Sequence, residues 1–271
     1  MTSLAAGALG ALLGVPFERP TTHDFIWPCF GWSPTVRIGG VTFCFNFILL
    51  LLTIAFALTI LFFFIGLRRP KVVPGKWQAA VETGIEFIRN QIVMQMIGPE
   101  GLRFLPYLTA LFFFIFFGNI LEVVPGIGFP LNSRLAFPLV LALPSWVLYN
   151  WVGIRKHGFG GYMKLVLFPP GAPKALYILL TPIEFFSVIV LRPITLTVRL
   201  FANMVAGHFL LAVFFLGSLA LLTGFPYILG VVSFAVGVVL VGFEIFVASL
   251  QAFIFAVLTA SYIGGALAEE H

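Results

Sequence analysis

The stretch Leu191–Leu211, LRPITLTVRLFANMVAGHFLL, decides how the rest of the chain is interpreted. It is long and apolar enough to lie in a lipid bilayer, yet it carries Arg199, Asn203 and His208. An arginine at the centre of a membrane helix costs roughly 3 kcal/mol on insertion scales and ~10 kcal/mol or more in simulations of an isolated helix. Such a cost has to be offset by water, by a counter-ion or by a function that needs the charge.

The composition places the chain in the membrane class. Hydrophobic residues make up 61% of it and charged residues 9%, whereas soluble domains have about 25% charged residues. The net charge of +5 comes from basic residues at the ends of apolar runs, so it does not indicate nucleic-acid binding. The sequence predicts neither a metal site nor a cofactor. Cys29 and Cys44 are too few for a disulfide framework, and one extracytoplasmic disulfide between them stays open.

The apolar runs predict an all-α integral membrane protein with five transmembrane helices. A bilayer core needs about 20 helical residues, and the predicted spans are about 43–67, 102–123, 134–155, 174–222 and 227–264. Basic residues follow the first run at 68–76 and the third at 155–157. By the positive-inside rule these ends are cytoplasmic, which puts the N-terminus outside and the C-terminus in the cytoplasm. Residues 1–42 are then an extracytoplasmic arm, and residues 43–271 form one membrane domain.

Two segments between the spans are predicted to lie at the cytoplasmic side. A helix at about 76–96 has apolar residues at helical spacing, with Glu82, Glu86 and Arg89 on another arc. This amphipathic pattern favours an interfacial helix, and a solvated linker helix is the alternative. The segment GFGGYMKLVLFPPGAPK, residues 158–174, is predicted to be a loop because it is rich in Gly and Pro.

The last two spans are predicted to form a long, tilted antiparallel hairpin. As one helix, the run 174–222 would be about 70 Å long, more than twice the hydrocarbon thickness. It is therefore either one tilted helix with a kink at Pro193, which we favour, or two spans broken there. Folding about Phe225 pairs residues whose numbers sum to about 450. Arg199 then lies at the depth of Gln251, and His208 at the depth of Glu244.

The polar residues of this hairpin lie on distinct helix faces. Glu244, Gln251 and Tyr262 share one face of the last helix. On the preceding helix Asn203 lies one turn from Arg199, whereas His208 lies about 180° around the axis. Polar residues graded by depth indicate ion passage. Two structural alternatives stay open: Arg199 as a cation that bridges helices, and His208 with Glu244 as a buried pair that sets helix register.

The segments RLFANMVAGH and LQAFIFAVLTASY, at 199–208 and 250–262, resemble subunit a of the F-type ATP synthase. RPITLTVRLF, PIEFFS, NILEVVP and the terminal EEH support the resemblance, which covers most of the chain from Phe43 onward. It implies that Arg199 faces a rotating ring of c subunits, beside Asn203 and Gln251. It also implies proton transfer by His208 and Glu244, with acid and histidine exchanged relative to many bacterial members, as in mitochondrial relatives.

The resemblance further implies two aqueous half-channels that reach the middle of the membrane from opposite sides. Glu122 matches the outer one, and Glu184 and Ser187 approximate the cytoplasmic one, with Glu184 displaced by one residue. Tyr262 is included in the predicted proton path because it shares a helix face with Gln251.

The function implied is a stator subunit, with no enzymatic chemistry of its own, in a bacterial plasma membrane. Its implied partners are the c-ring, the peripheral-stalk subunit b, other synthase subunits, protons and the lipid bilayer. Whether the ion is H⁺ or Na⁺ stays open, because selectivity would lie largely in the c-ring. The rival hypothesis is an ion-coupled secondary transporter that binds an anionic substrate at Arg199, although such folds often show internal repeats and none is evident in the sequence.

Overall fold

The computed structural model describes residues 36–38, 41–43, 46–124, 131, 135–168, 177–222 and 227–268. Five helical segments within these residues are long and apolar enough to cross a membrane: Phe47–Leu67, Pro99–Ile120, Ala136–Leu167, Leu179–Leu222 and Tyr227–Leu267. The prediction of an all-α membrane fold with five spans is therefore confirmed. Both cysteines and the turn at Phe225 lie outside the described residues.

A short antiparallel β-hairpin precedes the first span, with β1 (Val36–Ile38) paired to β2 (Val41–Phe43). Helix α1 (Phe47–Leu67) begins four residues later than the predicted position 43. The start is set by Asn46, whose side-chain oxygen accepts a hydrogen bond from the backbone N–H of Leu49 at 3.0 Å. Such an N-cap satisfies one of the free N–H groups at a helix start, whereas hydropathy alone does not mark the first turn.

The segment predicted to be interfacial is helical. It comprises α2 (Lys76–Ile88), a π-helix (Arg89–Val93) and a final turn (Met94–Met96). Ile88 and Ile92 are buried in the core, whereas Trp77 is 67% exposed. The segment thus has one buried face and one exposed face, as an interfacial helix requires.

The third span is followed by a second helical stretch that was not predicted. A 3₁₀-helix (Pro99–Phe104) leads into α3 (Leu105–Ile120), and α4 extends over Ala136–Leu167. The prediction of a loop from residue 158 is therefore wrong as far as residue 167. Gly158, with φ at 71°, kinks the chain, and Tyr162 then packs on Gly153 and donates a hydrogen bond to Asn150 Oδ1 at 3.0 Å. These contacts stabilise a second helical stretch that the Gly-rich composition does not reveal.

Pro193 does not divide the fourth span. Helix α5 (Tyr177–Phe186) continues through a π-helix (Ser187–Leu191) into α6 (Arg192–Leu222). In the π-helix the N–H of Arg192 bonds to the carbonyl of Ser187, so the carbonyl of Val188 would need an N–H at position 193, which proline lacks. Two α4 side chains supply that donor: Tyr149 Oη at 2.9 Å and Trp146 Nε1 at 3.3 Å. The π-helix before Pro193 is therefore stabilised by hydrogen bonds from a neighbouring span.

Helices α6 and α7 (Tyr227–Leu267) form the predicted antiparallel hairpin. The Ser233 hydroxyl donates to the carbonyl of Phe214 at 2.9 Å, and the rings of Phe215 and Phe234 are 6.0 Å apart. The residue numbers of these facing pairs sum to 447 and 449, close to the predicted 450. The register counted about Phe225 is thus the register of the structure.

Helix α7 is the central element of the bundle and contacts α3, α4 and α6. Its inward stripe consists of small residues at intervals of four, all fully buried: Ala248, Ala252, Ala256 and Ala260. Small residues let membrane helices approach closely. At the end of α7, Lys156 Nζ donates to the carbonyl of Leu267 at 2.8 Å. A side chain from α4 therefore satisfies one of the free carbonyls there.

Replacing Gly264 with valine is expected to destabilise the fold by about 2 kcal/mol or more, as overpacking commonly does. A Cβ atom at Gly264 would overlap the backbone carbonyl of Met96, which cannot move aside as a flexible side chain can. Gly265→Val is the matched control, since a Cβ at Gly265 meets no atom within 4 Å. Thermal unfolding, with the folded fraction measured by size-exclusion chromatography after heating, should show a lower midpoint temperature for Gly264→Val only. Equal midpoints would contradict the close packing of α7 on the interfacial segment.

Candidate functional site: a buried acid–histidine cluster and an exposed arginine

Glu122, His208 and Glu244 form a polar cluster. Nδ1 of His208 lies 3.7 Å from Oε1 of Glu122, and the Glu244 carboxylate lies against Gly207, the residue before His208. Both glutamates are 4% exposed, whereas the His208 side chain is 22% exposed. Burying carboxylates is costly unless they are paired or protonated. Protons can therefore be held and exchanged among these three groups.

The cluster joins elements that are far apart in the chain. Glu122 lies in the turn after α3, where its N–H bonds to the carbonyl of Asn119 at 3.2 Å. His208 and Glu244 come from α6 and α7. The depth count had paired His208 with Glu244, and the structure adds Glu122 to that pair.

Gly207 allows Glu244 to reach α6. A Cβ at Gly207 would overlap the Glu244 carboxylate, so the absence of a side chain there makes room for the carboxyl group. The sum of 207 and 244 is 451, so the hairpin register also places these residues opposite each other. Sequence reasoning overlooked Gly207, although a glycine facing a buried acid was a usable signal.

Several carboxylate oxygens of the cluster lack hydrogen-bond donors. Within the described residues, both Glu122 oxygens and Oε1 of Glu244 have no hydrogen-bond partner. Leaving such a buried group unsatisfied costs roughly 1–3 kcal/mol. Such buried atoms call for an explanation, and carboxylate oxygens can accept protons or hydrogen bonds from water.

Arg199 lies on the outer surface of the bundle. Its neighbours Leu196 and Leu200 are buried, whereas the Arg199 side chain is exposed. No carboxylate among the described residues lies within ion-pair distance of it. The charge that balances Arg199 is therefore not found in this part of the chain.

Small residues surround Arg199 on the exposed face of α6. Thr195, Ala202 and Ala206 are exposed and lie within about 60° of one another around the helix axis, with Arg199 among them. We call these four residues the Arg199 stripe. A face of small side chains around one cation allows another helix to approach the guanidinium closely.

The two polar residues predicted to lie beside Arg199, Asn203 and Gln251, are less exposed than Arg199. Gln251 is 6% exposed on the inner side of α7, and Asn203 is half-buried one turn along α6. In the described part of the chain no hydrogen bond joins Arg199 to Gln251. The depth match counted from the sequence is therefore not accompanied by a hydrogen bond between these two described residues.

Glu184 and Ser187 lie at the other end of the long helix. Both are half-buried, Glu184 in α5 and Ser187 at the start of the π-helix. Counted along the helix, Ser187 is about 18 Å from Arg199, and His208 is about 13 Å away in the opposite direction. Polar residues therefore lie on both sides of Arg199 along the axis.

Tyr262 contacts Arg192 and not Arg199. The Arg192 guanidinium lies 4.8 Å from the centre of the Tyr262 ring and 5.9 Å from that of Tyr149, and the two rings are 5.5 Å apart. Cation–π contacts of this kind stabilise a partly buried cation. Sequence reasoning assigned no role to Arg192. Its position two turns before Arg199, on nearly the same face, was the available signal.

The family model of the ATP synthase A chain matches residues 48–264, which include every residue of the cluster and of the Arg199 stripe. The chain belongs to the ATP synthase A chain family. It is similar to ATP synthase subunit a of Frankia alni, with 43% identity over 257 residues, covering 94% of this chain and 88% of the relative. ATP synthase subunit a of Nocardioides sp. is 39% identical over 275 residues, covering 99% of this chain and all of the relative.

A third relative, ATP synthase subunit a of Rhodococcus erythropolis, is 40% identical over 260 residues, or 94% of this chain and 92% of the relative. The family assignment made from the sequence is therefore confirmed. The chain is an integral membrane subunit of the ATP synthase complex, and the family is consistent with proton transport.

Replacing Gly207 with valine is expected to lower proton-driven ATP synthesis by roughly tenfold to a hundredfold, the scale of a misplaced reacting group. The added side chain would force the Glu244 carboxyl group away from α6. Gly242→Val is the matched control, because a Cβ there meets no atom within 4 Å. Synthesis is measured in reconstituted vesicles at equal complex content. Normal synthesis by the Gly207 variant would show that the position of Glu244 against α6 does not matter.

Proposed function

We propose that this chain is the stator subunit that leads protons through two offset half-channels to a rotating ring of c subunits. The observation that carries the proposal is the exposed Arg199, which lies in a stripe of small residues without a counter-charge in the described chain. A carboxylate on another subunit would supply that charge. Family membership supports association with other ATP synthase subunits.

The outer half-channel runs past Glu122, His208 and Glu244. Histidine exchanges protons near neutral pH. The 3.7 Å separation between His208 and Glu122 is longer than a hydrogen bond, so transfer needs a small side-chain movement or one bridging water. The proton then neutralises a carboxylate of the ring. A neutral acid avoids most of the desolvation cost of a carboxylate, so that subunit can rotate into lipid.

The cytoplasmic half-channel begins near Glu184 and Ser187. After nearly a full turn, the ring carboxyl group reaches this side and releases its proton. Both residues are half-buried, as the lining of a narrow aqueous path requires. Asn203, Gln251 and Tyr262 add polar groups between the two half-channels.

Arg199 separates the half-channels because its guanidinium does not deprotonate and cannot relay protons. It also attracts the ionised ring carboxylate by about 4 kcal/mol at a separation of 4 Å and an effective dielectric constant of 20. The driving force is comparable, about 2.3 kcal/mol per charge for each 100 mV. A much stronger attraction would trap the rotor.

The chain is expected to lie in a bacterial plasma membrane with its N-terminus outside and its C-terminus in the cytoplasm. The relatives named above are bacterial, and five spans put the two ends on opposite sides. The basic residues after the first and third spans set the direction. Family membership argues against the alternative of a secondary transporter with an anionic substrate at Arg199.

Replacing Ala202 with tryptophan is expected to remove the c-ring from the purified complex. A large side chain in the Arg199 stripe would hold the ring helices away from Arg199, whereas the exposed alanine allows contact. Leu61→Trp, at a 50% exposed position on α1, is the matched control. The measurement is the amount of small two-helix subunits that purify with this chain in mild detergent. The proposal fails if the unsubstituted chain brings no such ring, or if the ring stays with the Ala202 variant.

A further inference from the structure

Two adjoining cavities form one crevice between α3 and α4. The first, of about 760 Å³, is apolar, and its lining includes Tyr107, Val140, Leu143, Pro144 and Val147. The second, of about 640 Å³, has a mixed lining that includes the charged residues Glu100, Arg155 and Lys156. Four residues line both cavities: Arg103, Phe104, Leu148 and Trp151. The crevice therefore leads from a charged mouth to an apolar groove.

The mouth of the crevice carries positive charge. Lys156 forms an ion pair with Glu100 at 3.8 Å, so these two charges largely offset each other. Neither Arg103 nor Arg155 has a carboxylate within ion-pair distance in the part of the chain that the structure describes. The Arg103 guanidinium lies 4.7 Å from the centre of the Phe104 ring, which keeps it at the mouth. Glu100, a carboxylate that lines this mouth, pairs with Lys156, so the two guanidinium groups can take an anion.

The groove has the polarity and depth of one membrane leaflet. Its outer edge is open, with Val140 64% exposed and Val147 55% exposed. Trp151 is 61% exposed where the two cavities meet, and tryptophan favours the depth of the lipid headgroups. From Val140 to Trp151 the helix rises about 16 Å, roughly half of the 30 Å hydrocarbon core. A partner transmembrane helix would need a groove about twice that long.

We propose that this crevice binds an anionic phospholipid, with the phosphate between Arg103 and Arg155 and one acyl chain along Val140, Leu143 and Val147. The charge of the mouth and the one-leaflet depth of the groove together select this occupant. None of these residues belongs to the proton path described above.

The test uses the intact complex in vesicles of phosphatidylcholine that contain a minor share of phosphatidylglycerol with a photoreactive acyl chain. Peptide mass spectrometry after illumination should locate the label on the segment that contains Val140 to Val147. Arg103→Gln with Arg155→Gln should reduce the labelling by about twenty-five-fold, since each basic residue near an anionic headgroup contributes roughly fivefold. Val147→Trp, which narrows the groove and keeps both charges, should also reduce it.

Arg68→Gln with Arg69→Gln is the matched control, because it removes two charges from the end of α1, outside the crevice. It should leave labelling of this segment unchanged, and inorganic phosphate should not compete. Equal labelling by photoreactive phosphatidylcholine would mean ordinary boundary lipid and would overturn the proposal. So would unchanged labelling in the Arg103/Arg155 variant, loss of label in inorganic phosphate, or cross-links from Val147 to a helix of another subunit. ATP-driven proton pumping checks that each variant is assembled.

Discussion

Replacing Arg199 with alanine is expected to abolish ATP synthesis while allowing a passive proton leak through the reconstituted membrane sector. The guanidinium stays protonated at working pH and cannot pass a proton on. Its removal connects the two half-channels and also removes the attraction for the ionised ring carboxylate, about 4 kcal/mol at 4 Å and a dielectric constant of 20. Coupled synthesis should fall by about two to three orders of magnitude.

Two variants separate this effect from a general loss of structure. Arg199→Lys keeps a positive charge but loses the planar guanidinium, so it should leak fewer protons than Arg199→Ala does. Arg192→Gln removes the arginine that lies over Tyr262 and should cause no passive proton leak through the membrane sector. Proton flux under a valinomycin-clamped potential and ATP synthesis are measured on the same vesicles. Normal coupled synthesis by Arg199→Ala would refute the proposed role of Arg199.

The exchange His208→Glu with Glu244→His is expected to retain more activity than either single change. Because Glu122 lies 3.7 Å from His208, the single change His208→Glu would put three carboxyl groups together, and like charges in one site oppose ionisation. Glu244→His alone would leave two imidazoles with one acid. The double exchange restores one histidine and two acids. Proton flux should therefore be lowest for His208→Glu and should recover at least severalfold in the double variant.

The control for this series is the amount of assembled complex, measured by retention of the c-ring. Only variants with equal assembly are compared. Equal loss of flux in all three variants would argue that His208 and Glu244 do not work together.

The order and register of the spans could be predicted because they depend on simple repeats. Apolar runs report the number of crossings, and two antiparallel helices with the same rise place Phe215 opposite Phe234. The helical stretch after Gly158 could not be predicted. Its local sequence favours a loop, and the contacts that stabilise it, from Tyr162 to Gly153 and Asn150, are tertiary.

Residue counting alone could predict the candidate site only where it lies on the hairpin, and Glu122 was predicted through the family resemblance. Counting residues from Phe225 relates α6 to α7, so it found the depth of His208 and Glu244. Glu122 lies outside that count, and its position beside His208 depends on how α3 packs against the hairpin. The contact of Arg192 with Tyr262 likewise depends on the π-helix at Ser187–Leu191, which sequence periodicity does not show.

A density map of the intact complex tests the central claim most directly, because it shows what faces the Arg199 stripe. We predict that Thr195, Arg199, Ala202 and Ala206 face the c-ring, with a ring carboxylate within about 4–6 Å of the Arg199 guanidinium, the range in which opposite charges interact strongly. A map in which this stripe faces lipid or a stationary subunit, with the ring against another helix, would contradict the account.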